Sequence, residues 1–124
     1  MLNASVLDQY PGVDTDAVQA LLEEKCRQDR HKIIVLDDDP TGVQTVHDVS
    51  VYTDWSYDSI KKGFEEDGKL FYILTNSRGF TVEHTTRAHL EIGETAAKVS
   101  EETGIDYVIV SRGDSTLRGH YPLE

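Results

Sequence analysis

Cysteine is almost missing from this sequence: Cys26 stands alone among 124 residues, so no disulfide forms within the chain and a reducing compartment is the natural reading. Long apolar runs are missing too. No stretch approaches the roughly 20 apolar residues of a membrane span, and the opening "MLNASVLDQYPGVD" lacks the basic start and apolar core of a secretory leader. Positive charge is scarce. Twelve Lys and Arg against 23 Asp and Glu give a formal net charge of -11, with a pI near 4.7, and that field repels nucleic-acid backbones and anionic membranes. The expectation is a cytoplasmic protein whose partners include neither nucleic acid nor membrane. Glycine-rich phosphate cradles of the GxGxxG or Walker type are absent, as are repeats and low-complexity tracts. The five histidines are scattered; His84 and His89 lie five apart on a predicted helix, a poor spacing for shared ligation, so no metal site is expected.

What is present is an alternation of short apolar runs with helical segments, and 38% hydrophobic content suffices for one modest core. "KIIVLD" at 32–37, "KLFYILTN" at 69–76 and "IDYVIVSRGD" at 105–114 are continuous runs, the pattern of strands covered on both faces in a parallel sheet. "DVSVYTD" at 48–54 alternates and reads as a further strand. Helices are predicted from Asp14 or Thr15 to Asp29, with Val18, Leu21, Leu22 and Cys26 on one face, and from Ser56 or Asp58 to about Glu66. The longest runs from Thr81 or Glu83 to Thr103, with Leu90, Ile92, Ala96, Ala97 and Val99 toward the sheet and Gly104 as its stop. This predicts an α/β fold, a mainly parallel sheet with flanking helices, three-layer and Rossmann-like, that binds its ligand at the carboxyl edge of the strands. Residues 1–31 read as an amino-terminal extension with one helix and 32–124 as the domain. Tyr52, Trp55 and Tyr57 read as ordinary packing. The closing "GHYPLE" falls where another helix would begin, which leads to the expectation that the chain is the front part of a longer protein.

The chemistry concentrates where three of these runs end. "VLDDDPTG" ends on Asp37, Asp38 and Asp39, "TNSRG" carries Arg78, and "SRGDSTLRG" carries Arg112, Gly113, Asp114, Ser115 and Arg118. Three adjacent carboxylates repel, and burial adds to the cost, so a positive group or a proton is expected among them. In a parallel sheet all three ends emerge at one edge, where guanidiniums bind carboxylates in bidentate fashion and carboxylates accept from hydroxyls. That combination suits a small polyhydroxylated acid. The same groups can also pair with one another as a structural network, an alternative the sequence leaves open. "DDDPT" further satisfies the D-x-D-x-T pattern of haloacid-dehalogenase-like, Mg2+-dependent phosphatases, with Asp37 as nucleophile and Asp39 as acid/base, although Asp114 lacks the second acid a few residues onward that such enzymes need.

In this order and between strands of this kind, "DDDPTG", "TNSRG" and above all "DSTLRGHYPLE" resemble the amino-terminal, sugar-binding domain of the four-carbon acid sugar kinases over about residues 32–124. The resemblance implies an ATP-dependent kinase that phosphorylates a hydroxyl of a small sugar acid such as a tetronate or oxo-tetronate. Carried over by motif, it makes Asp38 and Asp39 the catalytic acids. It makes Asp38, Arg78, Arg112, Gly113, Asp114, Ser115 and Arg118 the substrate-binding set. ATP and Mg2+ would be held mainly by a separate carboxyl-terminal nucleotide-binding domain that this chain does not include, so the fragment alone is expected to be inactive. The implied partners are a sugar acid and ATP, and a homo-oligomer is compatible with them. A module that binds a sugar acid without transferring phosphate is the other reading. Two departures stand out: Arg112 replaces the usual lysine, and Asp37 is an extra acid ahead of the pair. Arginine suits planar carboxylate recognition but does not release its proton, so a role as base is excluded at Arg112.

Overall fold

The computed structural model describes residues 3–114 together with 120 and 123. Within them, four strands form one parallel sheet. β1 (Lys32–Asp37) is central, flanked by β3 (Leu70–Leu74) and β4 (Tyr107–Arg112), with β2 (Val51–Tyr52) outside β3. Three α-helices, α1 (Thr15–Gln28), α2 (Tyr57–Glu65) and α3 (Val82–Thr103), complete an α/β fold of the class the alternating runs predict. None of the helices is long and apolar enough to cross a membrane among the described residues.

Helix ends fall where capping groups stand in the sequence. Asp14 accepts from the Ala17 N–H at 3.0 Å, Ser56 from the Ser59 N–H at 3.3 Å and Thr81 from the His84 N–H at 3.3 Å, each satisfying a donor that a first helical turn leaves unpaired. α3 stops at Gly104, whose φ of 68° is left-handed and favours glycine. Lys32 is buried, and its Nζ donates to the Glu66 and Gly68 carbonyls, which sets a positive charge at the negative end of α2.

Alternation along β1 sends Ile34 and Leu36 to one face, in register with Phe71 and Ile73. Ile60 and Phe64 of α2 and Ile92, Ala96 and Val99 of α3 close over them, and Tyr52, Trp55 and Tyr57 pack at the margin of this cluster. The strand order explains why both helices share that face. The β2–α2–β3 and β3–α3–β4 crossovers step across the sheet in the same direction, and right-handed crossovers in one direction land on one side. The β1-to-β2 connection steps the other way. Its turn at Gly42–Thr45 brings Gly42 against Asp37, a residue whose place in the alternation is opposite to that of Leu36.

The structure departs from the sequence reading in four places. β2 pairs only through Val51 and Tyr52, extended by one bond from the Tyr72 N–H to the Ser50 carbonyl at 2.9 Å. The inward line of α3 is Thr85, Ala88, Ile92, Ala96 and Val99; steps of three and four residues fix that stripe, which leaves Leu90 and Ala97 on the outer side, Leu90 61% exposed. α1 buries none of its residues, and Val18, Leu21 and Leu22 remain exposed. Val108, Ile109 and Val110, on β4 at the edge of the described sheet, are exposed as well. Of the three layers expected, the sheet and the α2–α3 layer are therefore the ones that pack.

Candidate functional site

β1 and β3 end side by side, and what the chain does next places the charged groups. The ladder runs one step past β3: the Thr75 N–H donates to the Asp37 carbonyl at 2.9 Å, and the Thr75 hydroxyl lies 3.0 Å from both that carbonyl and Ser77 Oγ. Asn76 then adopts the left-handed conformation, φ 54° and ψ 28°, which asparagine tolerates better than most residues. This reverses the chain into the short turn Ser77–Gly79, where the Arg78 N–H donates to the Asp38 carbonyl at 3.3 Å. Arg78 is thereby delivered over the end of β1.

Carboxylates engage its guanidinium there through all three nitrogens. Nε donates to Asp38 Oδ2, Nη2 to Asp38 Oδ1 and Nη1 to Asp39 Oδ2, each at 2.9 Å. The Asp38 side chain is 2% exposed and also accepts from the Asp114 N–H at 3.2 Å, so the loop after β4 is tied to the same carboxylate. Asp39 is more accessible, 24% exposed, and its Oδ1 accepts from the Thr41 N–H at 2.8 Å and from the Thr41 hydroxyl, an Asx-type turn built on Asp-Pro-Thr. The Asp38 carboxylate holds the Arg78 proton more firmly still than usual. His120, at the end of the third motif, brings Nε2 to within 3.0 Å of the Phe80 carbonyl just past this turn.

The third acid goes elsewhere. Asp37 is fully buried, and among the described residues neither of its carboxyl oxygens has a hydrogen-bond partner. Arg112, its partner in the β1–β4 register, brings Nη1 to 3.9 Å of Oδ1. Burial pushes the Asp37 carboxyl above its ordinary range, and the charges of Asp38 and Asp39 add to that push. Arg112 opposes it, as does the Asp39 backbone N–H, which lies near the carboxyl group without reaching good hydrogen-bond geometry. The triple acid is thus split, two carboxylates facing Arg78 and one sealed beneath the turn at Gly42.

Asp38, Asp39, Arg78, Arg112, Gly113 and Asp114 all lie at the carboxyl edge of the sheet. Ser115 and Arg118 lie outside the described residues. The internal network and the ligand-facing reading apply to different arginines: Arg78 is committed to Asp38 and Asp39, whereas Arg112, 47% exposed, presents its outer side to solvent. The sealed carboxylate of Asp37 also closes the nucleophile role that the D-x-D-x-T pattern would give it. The sequence does not single out Thr75 and Asn76, which aim Arg78; Thr41 is among the hydroxyls that it brings to the strand ends, and in the fold it holds Asp39. The Asp-Pro-Thr turn chemistry was the available signal for Thr41.

A hollow of about 980 Å3 lies at the opposite edge of the sheet, between the end of α1 and the α3–β4 loop. Its acid Asp29 is already paired with His31 at 2.5 Å, and Lys69 donates to the carbonyls of Cys26 and Asp29.

Gly42 tests this packing directly. A Cβ at Gly42 would sit 1.8 Å from Asp37 Oδ2, so Gly42→Ala is expected to destabilise the fold by roughly 1–3 kcal/mol, the usual cost of overpacking. In urea unfolding, the penalty should shrink when Gly42→Ala is combined with Asp37→Ala, which removes the obstructing carboxylate. An undiminished penalty would place the obstruction elsewhere.

A family model described as the sugar-binding N-terminal domain matches residues 33–124. No curated protein and no solved structure matches the chain. The match begins one residue into β1 and takes in all three charged motifs, so the chain belongs to the family of sugar-binding N-terminal domains.

Proposed function

We propose that the chain is the substrate-binding part of an ATP-dependent kinase that phosphorylates a hydroxyl of a four-carbon sugar acid, a tetronate or oxo-tetronate. The observation that carries this reading is the carboxyl-edge constellation: Asp38 and Asp39 fixed by three bonds from Arg78, with Arg112, Gly113 and Asp114 beside them. A kinase acceptor site must neutralise an anionic substrate and hold one hydroxyl in line with the donor, because positioning and charge carry most of phosphoryl transfer. Arg112 meets the acid end. Asp39, more exposed than Asp38, takes the hydroxyl proton as the transition state forms. Asp38 keeps Arg78 and the Asp114 loop in place and acts through them.

ATP and Mg2+ belong, in this reading, to another domain of the kinase. Asp38 and Asp39 are committed to Arg78 and Thr41, and no group of three acids, histidines or cysteines among the described residues is arranged to hold a metal ion. The second reading is a module that binds a sugar acid without phosphorylating it, favoured by the family match to a sugar-binding domain alone. Incubating the full-length protein with ATP, Mg2+ and a panel of tetronates separates the two. The kinase reading expects acid-dependent ADP release and a phosphorylated product with one or more of them. Saturable tetronate binding with no turnover would leave the binding module.

A further inference from the structure

Asp37 is the one acid of the triple run that the proposed mechanism does not use, and it is costly to keep. It is fully buried with no hydrogen-bond partner among the described residues, and Gly42 packs directly on its carboxyl group. A buried carboxylate without donors is strongly disfavoured as an ion. Among the described residues, the charged groups around it are few and identifiable. Asp38 and Asp39 follow it on the same strand end, and both add negative charge, partly absorbed by Arg78. From β3 it faces Leu74 and Thr75, which carry no charge, and from the turn, Gly42. From β4 comes Arg112, whose guanidinium at 3.9 Å supplies attraction without a hydrogen bond. The Arg112 side chain is also about half exposed.

We propose that Asp37 is a positioning residue acting through Arg112: at rest the two share charge across the β1–β4 pair, and a sugar-acid carboxylate that engages the guanidinium leaves Asp37 to bind a proton from bulk water. The inference rests on the sugar-acid reading of the site. An anionic ligand arriving beside a buried anion is repelled, and the same guanidinium cannot fully compensate both. Uptake of one proton by the Asp37 carboxyl removes the conflict and releases Arg112 to the ligand. Acid binding is then linked to pH through a residue the ligand never touches.

The ligand-free protein provides the first check. Because burial raises the Asp37 value above 3.8 in the fold, the native state binds more protons than the unfolded chain in the window above 3.8, and Asp37 costs stability progressively as pH rises through it. Asp37→Asn should therefore gain stability over wild type as pH rises, with the gap closing toward acid. A variant less stable than wild type at neutral pH would show a net favourable Asp37–Arg112 ion pair and overturn the proposal.

The ligand arm uses calorimetry of the full-length protein with erythronate, in buffers of different ionisation enthalpy, between about pH 5 and 9. Wild type should take up protons on binding and lose affinity as pH rises. Asp37→Asn should bind without that uptake and be about three- to tenfold tighter than wild type at the alkaline end. Binding by wild type without proton uptake across this range, or uptake that survives in Asp37→Asn, overturns the proposal and leaves the sugar-acid reading standing. Absence of binding by erythronate and every other tetronate overturns that reading and the proposal with it.

Discussion

Replacing Asp38 by alanine is expected to destabilise the domain by roughly 2–5 kcal/mol and to abolish sugar-acid binding, the first of these from the loss of a desolvated, charge-assisted network. The Asp38 carboxylate is 2% exposed and accepts from Arg78 Nε, Arg78 Nη2 and the Asp114 N–H. Without it, Arg78 retains only its bond to Asp39, and the loop after β4 loses its tie to the end of β1. Asp38→Asn keeps the shape but turns one acceptor into a donor facing a guanidinium or a backbone N–H, so it should fall between wild type and alanine. Urea unfolding measures the first effect and calorimetry with a tetronate the second. Near-wild-type stability in Asp38→Ala would mean that water replaces the carboxylate easily and that the network does not organise the edge.

Arg112→Lys carries the other large effect, and it falls on binding rather than on folding. The side chain is 47% exposed, so the fold should tolerate the change. Lysine keeps the charge but loses the planar fork that grips a carboxylate in bidentate fashion. Affinity for a tetronate should fall about ten- to a hundredfold, the loss of one charged hydrogen bond. The corresponding lactone, which has no carboxylate, should bind poorly to wild type and be nearly indifferent to the mutation. Equal losses for acid and lactone would mean that Arg112 braces the loop and never meets the ligand.

The frame of this fold was legible because local chemistry decided it. Asp14, Ser56, Thr81 and Gly104 mark helix ends by capping, and the short apolar runs at 32–37, rich in Ile and Val, and at 69–76, with its aromatic pair, have the composition of inner strands. What failed depended on neighbours. Apolarity alone points Leu90 and Ala97 inward, whereas the 85-88-92-96-99 stripe set by the helical angle excludes them. Nothing in the sequence of α1 or β4 says that Val18, Leu21, Val108 and Val110 would stay exposed; that depends on what packs against them. The site divides in the same way. The convergence of Asp38, Arg78, Arg112 and Asp114 follows from parallel strands ending at one edge. The separate fate of Asp37 does not: alternation turns it away from Leu36, but only the seat of Gly42 on its carboxyl group shows that it is sealed.

The central claim is that this edge recognises the acid end of a small sugar acid. Calorimetric titration of the full-length wild-type protein with erythronate and, separately, with its lactone tests it most directly, because the two differ chiefly in the carboxylate that Arg112 would hold. Saturable binding of the acid is expected, and none of the lactone at matched concentrations. Equal binding of both, or binding of the lactone alone, would contradict it.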